Sequence, residues 1–245
     1  MRSLYFILLS FWAIRSFAQP VTDTVLKNIL EENKNPVFQQ VLNDPQTYRL
    51  QIIYTAINRD KHNKPHFKNY YYNSDPSFYF NPASTVKLPL AVLSLEKINK
   101  MHIAGVSKYT PMQFDSSDER QIALYKDTSS QNKLPSVAQF IRKAFLVSDN
   151  DAYNRMYQFM GQQDINRTLH EKGYSDVRIT RQFMGFTPDQ NRHTNQIRFL
   201  REDGSLLYNQ PASYNTDSFK FPSPIKIGNA HYDQNDSLIH EPIDF

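Results

Sequence analysis

The chain contains no cysteine. That single count excludes a disulfide framework, a thiolate metal site, an iron–sulfur cluster, a cysteine nucleophile and a lipid anchor on cysteine. Glycine is scarce, 6 in 245 residues, which leaves no collagen-like repeat and little material for a loop that cradles phosphate. Charge of one sign is not in excess: 28 Lys+Arg against 24 Asp+Glu give +4, and the basic residues are dispersed, so no nucleic-acid footprint is expected. His62 and His66 are the only close histidine pair, and no His-x-His or His-Glu-x-x-His occurs, so no metal centre is expected. Aromatic residues are plentiful instead, with 15 Tyr and 17 Phe. Together with 40% hydrophobic and 21% charged residues they describe a chain that folds around a core.

Long apolar runs are also lacking, apart from the first segment. Arg2 precedes a nearly continuous apolar stretch from Leu4 to Ile14, and Ser16-Phe17-Ala18 closes it with small residues at its first and third places. This is the pattern of a secretory leader cut after Ala18. The run is too short to cross about 30 Å of hydrocarbon, and Arg15 interrupts it, so no stable membrane anchor is expected. Loss of residues 1–18 removes Arg2 and Arg15 and no acid, which lowers the charge from +4 to +2. The expectation is an exported protein, periplasmic or extracellular, with residues 19–245 as its folded domain.

Thr22-Asp23-Thr24 can cap a helix running to about Asn33. Arg49 to Asn58 and His66 to Tyr72 read as two paired strands around a charged turn at 60–64. From Ser84 to Met101 a helix is expected with apolar residues on most sides, hence buried, and Pro89 is tolerable close to its first turn. Ser136 caps a helix to Leu146, another spans Asp151 to Met160 and is closed by Gly161, and Asp164 caps a third that ends at Gly173. Gln196 to Leu200 and Ser205 to Tyr208 flank Asp203-Gly204, a hairpin signal. From Gln210 onward no helix or strand pair is legible. Strand pair, helices, then hairpin indicate an α+β fold.

Two short motifs carry chemistry. The first is Ser84-Thr85-Val86-Lys87, at the start of the apolar helix. Residues three apart share a helix face, so Lys87 stands one turn from Ser84. A serine hydroxyl needs a base to become a nucleophile, and a desolvated lysine amine can serve, because burial favours its neutral form. The second motif is Ser148-Asp149-Asn150, between two helical segments. A loop there can present a hydroxyl that relays a proton to a leaving nitrogen, and a carboxamide that holds a substrate amide. Each motif alone is also an ordinary helix start, since Ser, Asp and Asn are all cap residues.

Together, in this order, they resemble the active-site serine penicillin-recognising hydrolases, most closely the class A β-lactamase branch. FNPASTVKLPLAVLSLEKI looks like the nucleophile helix of that family and LVSDNDAYNRMYQFMG like its Ser-Asp-Asn loop. The resemblance implies a helical subdomain with an antiparallel sheet. It also implies Ser84 as the acylated nucleophile, Lys87 as its activating partner, Ser148 as proton relay and Asn150 as contact to the substrate amide. Asp149 would brace the loop, and Asn154 matches a position that steadies the loop opposite. No cofactor and no metal is implied. The partner is a small molecule, either a β-lactam or a peptidoglycan stem peptide, and the protein is expected as a monomer.

Two departures stand against the family pattern. Laying Pro188-Asp189-Gln190-Asn191 on the family's Pro-x-x-Asn puts Thr187 where the deacylating glutamate belongs; Asp189 is the nearest carboxylate. Lys226-Ile227-Gly228 is a poor match to the Lys-Thr/Ser-Gly motif, which is therefore expected beyond Phe245, in a domain cut short before its last strands. The first expectation is a β-lactamase working through an acyl-serine. The alternatives are a penicillin-binding D-Ala-D-Ala peptidase-like enzyme and a degenerate, non-catalytic binding protein.

Overall fold

A computed structural model describes residues 20–76, 79–117, 120–217 and 219, together with four short strands between 226 and 244. The expected leader at 1–18, Gly228 and the final Phe245 lie outside the described residues. The fold is α+β, and the chain divides into two compact units, one ending at Phe80 and the other beginning at Asn81.

The first unit holds α1 (Thr24–Glu32), α2 (Pro36–Asn43), β1 (Ile52–Arg59) and β2 (Pro65–Tyr72). The two strands pair antiparallel from Ile52↔Tyr72 to Arg59↔Pro65. Their turn is set by Asp60, whose carboxylate accepts the backbone N–H groups of His62 (2.9 Å) and Lys64 (3.0 Å). Asp23 stands at the start of α1 as expected but does not cap it with its side chain, which accepts Tyr71 N at 2.6 Å and ties the helix to β2. Helix α2 was not foreseen. Asn35 caps it by accepting from Val37 N and Phe38 N, and Pro36 occupies the first turn, where its missing N–H costs nothing.

In the second unit a 3-10 turn at Ala83–Val86 runs into α3 (Lys87–Met101). Then come β3 (Met112–Phe114), α4 (Val137–Leu146), α5 (Asn150–Met160) and α6 (Gln162–Glu171). The segment that follows holds no helix longer than a 3-10 turn at Gln190–Arg192. It leads to β4 (His193–Thr194), β5 (Ile197–Leu200), β6 (Leu206–Gln210) and β7 (Ser213–Tyr214). Strands β3, β5 and β6 form one antiparallel sheet in that order, with Met112 opposite Phe199. The Asp203-Gly204 turn joins β5 to β6 as expected, with Gly204 at φ 81°. Past Gln210 the expectation of no strand pair is corrected. Strand β7 pairs with β4, β8 (Lys226–Ile227) with β11 (Ile243–Asp244), and β9 (His231–Tyr232) with β10 (Leu238–His240). Ladders of two or three residues are too short to leave a period-2 pattern.

Helix α5 is the axis of this unit: every residue from Ala152 to Met160 is buried. Tyr153, Met156, Tyr157 and Phe159 join Leu90 and Leu93 of α3, Phe140 of α4, Ile165 of α6 and Phe199 of β5 in one core. A helix sunk on all sides must pair its polar side chains internally. Arg155 donates to Ile122 O at 2.6 Å and lies over the Phe114 ring, and Gln158 donates to Gln182 Oε1 at 2.9 Å. Helix α3 is less buried than expected, because Leu88 and Val92, one turn apart, form an exposed stripe (57% and 54%) opposite Leu90, Leu93 and Ile98. Gly161 joins α5 to α6 at φ 80°, a conformation for which a side chain is strained. Asp164, expected as the cap of α6, lies inside its first turn; Asn215 Oδ1, from far along the chain, accepts Gln163 N instead (3.0 Å).

Candidate active site

Both motifs sit at helix beginnings, and the packing of α3 against α4 and α5 brings those beginnings together. Ser84 lies in the 3-10 turn ahead of α3, after Ala83 at φ 45°. Ser148 lies in the connection between α4 and α5, at φ 54°. Non-glycine residues in the left-handed region cost about 1–3 kcal/mol each and cluster where a site dictates the backbone. Here the two flank one hydroxyl pair: Ser148 Oγ donates to Ser84 Oγ at 3.1 Å.

Lys87 is the hub. It is the first residue of α3, only 3% exposed, and its Nζ reaches Ser84 Oγ (3.0 Å), Ser148 Oγ (2.8 Å), Ser148 O (2.6 Å) and Asn150 Oδ1 (2.8 Å). An ammonium has three hydrogens, so four acceptors more than saturate it. Burial pushes the pKa of Lys87 below its ordinary value, and the negative charge of Asp149 partly restores it. The amine is therefore closer to its neutral, proton-accepting form than a solvated lysine, while touching the hydroxyl it would deprotonate. Ser84, Ser148 and Asn150 are open to solvent, so a ligand can reach the hydroxyls while the lysine stays covered.

Asp149 caps α5, accepting Ala152 N at 2.9 Å, and forms an ion pair with Lys143 at 3.4 Å. Its charge therefore stays near Lys87 without a bond to it. Asn154, buried in α5, accepts Phe183 N at 2.8 Å. Two further bonds fix the same stretch: Tyr153 Oη donates to Arg181 O (3.0 Å) and Gln182 N donates to Asn191 Oδ1 (2.7 Å). Three consecutive residues, 181 to 183, are thus pinned to α5 or to the loop's own base.

Thr187, on which the family's glutamate was laid, makes no bond to the four site residues. The loop side chain beside the site is Phe183, whose ring centroid is 5.2 Å from Lys87 Nζ and 4.6 Å from the Tyr153 ring. Thr187 is turned into the loop, where its Oγ1 accepts Gln190 N at 3.2 Å. Asp189 is exposed, takes the Tyr214 hydroxyl at 2.8 Å and faces His193 at 3.7 Å. Neither bonds to Ser84, Lys87, Ser148 or Asn150. Sequence reasoning missed Phe183 because Pro-x-x-Asn fixes the loop base through Asn191, while the register over the site is set by Asn154. Had the partner of Asn154 been sought directly, the aromatic residue would have been the one to inspect.

Among the described residues no group of three or more His, Cys, Asp or Glu side chains gathers to hold a metal ion, and no helix is long and apolar enough to cross a membrane. The family model described as the beta-lactamase enzyme family matches residues 38–201. The curated proteins include no match to the chain.

Proposed function

Because the chain belongs to the β-lactamase enzyme family, we propose that it is an exported serine hydrolase that opens the amide of a β-lactam through an acyl-Ser84 intermediate. The observation that carries this reading is the closed network of Ser84, Lys87, Ser148 and Asn150 around one buried amine.

Neutral Lys87 accepts the Ser84 proton as Ser84 Oγ bonds to the lactam carbonyl carbon. The tetrahedral intermediate collapses with cleavage of the C–N bond. Lys87 returns the proton through Ser148 Oγ to the leaving nitrogen, so amine and hydroxyl charges balance across the step. The Asn150 carboxamide, held by Lys87, orients the substrate's side-chain amide. Asp149 and Asn154 are positioning residues, one through the α5 cap and the local field, the other through the loop. The reaction requires no metal or cofactor chemistry, and the partner is a small-molecule β-lactam met by a monomer in the periplasm or outside the cell.

A second reading, a D-Ala-D-Ala peptidase-like enzyme acylated by a stem peptide, is favoured by one observation: the loop places an aromatic ring, and not a carboxylate, beside Lys87. The test is to follow chromogenic cephalosporin turnover, and the intact mass after exposure to benzylpenicillin, for the protein and for Ser84→Ala. An adduct that vanishes with Ser84→Ala is expected. Equal turnover and equal labelling in the two proteins refute the acyl-serine reading, and labelling without turnover selects the peptidase-like one.

A further inference from the structure

We infer that Phe183 sets the lifetime of the acyl-enzyme: by holding an apolar ring over Lys87 where a proton acceptor for water would have to stand, it makes deacylation slow. This rests on the acyl-Ser84 step that both readings above share, and deepens it.

Hydrolysis of an acyl-Ser84 ester forms a bond from water oxygen to the acyl carbon and breaks the bond from that carbon to Ser84 Oγ. Oγ regains a proton, and the attacking water must lose one to a base in contact with it. Two carboxylates of the motifs and the loop, among the described residues, are already engaged. Asp149 has its carboxylate on Ala152 N and Lys143, and Asp189 is held by Tyr214 and His193. Among the described residues no aspartate or glutamate side chain bonds to Ser84, Lys87, Ser148 or Asn150. The Lys87 amine remains, and the Phe183 ring covers it on the loop side at 5.2 Å.

Phe183 is 37% exposed, but the backbone that carries its ring is held in place. Its backbone N–H is fixed by Asn154, the two residues before it are fixed by Tyr153 and Asn191, and its own face packs on Tyr153 at 4.6 Å. Because the tether uses backbone and not side chain, position 183 can be changed without releasing the loop. The side chain there therefore sets the balance between hydrolysis and retention, while Ser84, Lys87 and Ser148 serve acylation.

The test is an intact-mass time course after a benzylpenicillin pulse and removal of free drug, on the protein, on Phe183→Glu and on Phe183→Gln. The unmodified protein is expected to keep its adduct for minutes or longer. Phe183→Glu should lose it about a hundredfold faster, the usual worth of a positioned general base, and Phe183→Gln, which can hold a water but not take its proton, should recover less than about a tenth of that gain. Equal lifetimes in all three, or a Gln variant as fast as the Glu variant, overturn the inference. If Phe183→Glu does not fold by circular dichroism, the unmodified protein decides: an adduct shed within about a second, the pace of ordinary turnover, overturns it. Failure of any adduct to form removes the acyl-serine reading itself, which separates the two failures.

Discussion

Asn154→Leu isolates one tether at nearly constant volume. The buried Asn154 carboxamide accepts Phe183 N at 2.8 Å, and leucine fills the same space without an acceptor. Leaving that N–H unpaired costs about 1–3 kcal/mol. Tyr153 Oη to Arg181 O and Gln182 N to Asn191 Oδ1 persist on either side, so the loop is expected to open locally and not to detach. A central cost of about 2 kcal/mol corresponds to about a thirtyfold rise in local opening. Hydrogen exchange at the Phe183 amide should accelerate by that factor, and global stability in urea should fall by no more than the same amount. The Ala152 amide, capped by Asp149 on the same helix, is the internal control and should not change. Unchanged protection at Phe183, or an equal loss at Ala152, would refute the claim that Asn154 holds this loop.

Two pH-dependent outcomes follow from lysines with desolvated amines. Burial lowers the Lys87 pKa, so its neutral fraction, and with it the rate of Ser84 acylation by benzylpenicillin, should rise with pH and level off below the ordinary lysine value of 10.5. Asp149 opposes that shift, so Asp149→Asn, which keeps a capping side chain, should move the rise to lower pH; a shift upward would contradict the electrostatics. Lys97 in α3 is half-buried over the Phe159 ring, donates to Phe159 O at 2.5 Å, and has its pKa pushed down to about 8 by desolvation, with Asp164 pulling the other way. Between about 8 and 10.5 the unfolded chain binds the extra proton, so stability due to this residue rises with pH across that window and is least below it. Lys97→Met should therefore compare more favourably with the unmodified protein at pH 7 than at pH 10, as read by urea midpoints; a reversed order would refute the assignment.

Much of the second unit could be read in advance because its helices carry local signals. Ser136 caps α4 through Gln139 N, Gly161 ends α5, and Asp203-Gly204 turns the hairpin. The pair Ser84 and Lys87 was legible for the same reason, as a one-turn spacing within three residues. That Ser148 and Asn150 close on the same amine depends on how α5 packs against α3, and the family resemblance supplied that pairing. What local rules missed was decided at a distance. Asp23 exchanges its capping role for Tyr71 N, Asn215 supplies the cap that Asp164 does not, and strands of two residues exist only because a partner strand arrives. The exposed stripe of α3 was obscured by composition, since an apolar helix does not state which side meets the core. Phe183 was hidden by the same kind of cause: its place follows from a carboxamide 29 residues earlier.

Because α5 has no side facing water from Ala152 to Met160, it cannot persist as a lone amphipathic segment awaiting partners. Its first turn carries Asn150 and is preceded by Ser148, while Ser84 and Lys87 arrive on another helix. On the proposed acyl-serine reading, a half-assembled chain has the residues of the site but not the site, and covalent labelling regained during refolding should time the last wrapping of that helix, not the earlier appearance of helical signal.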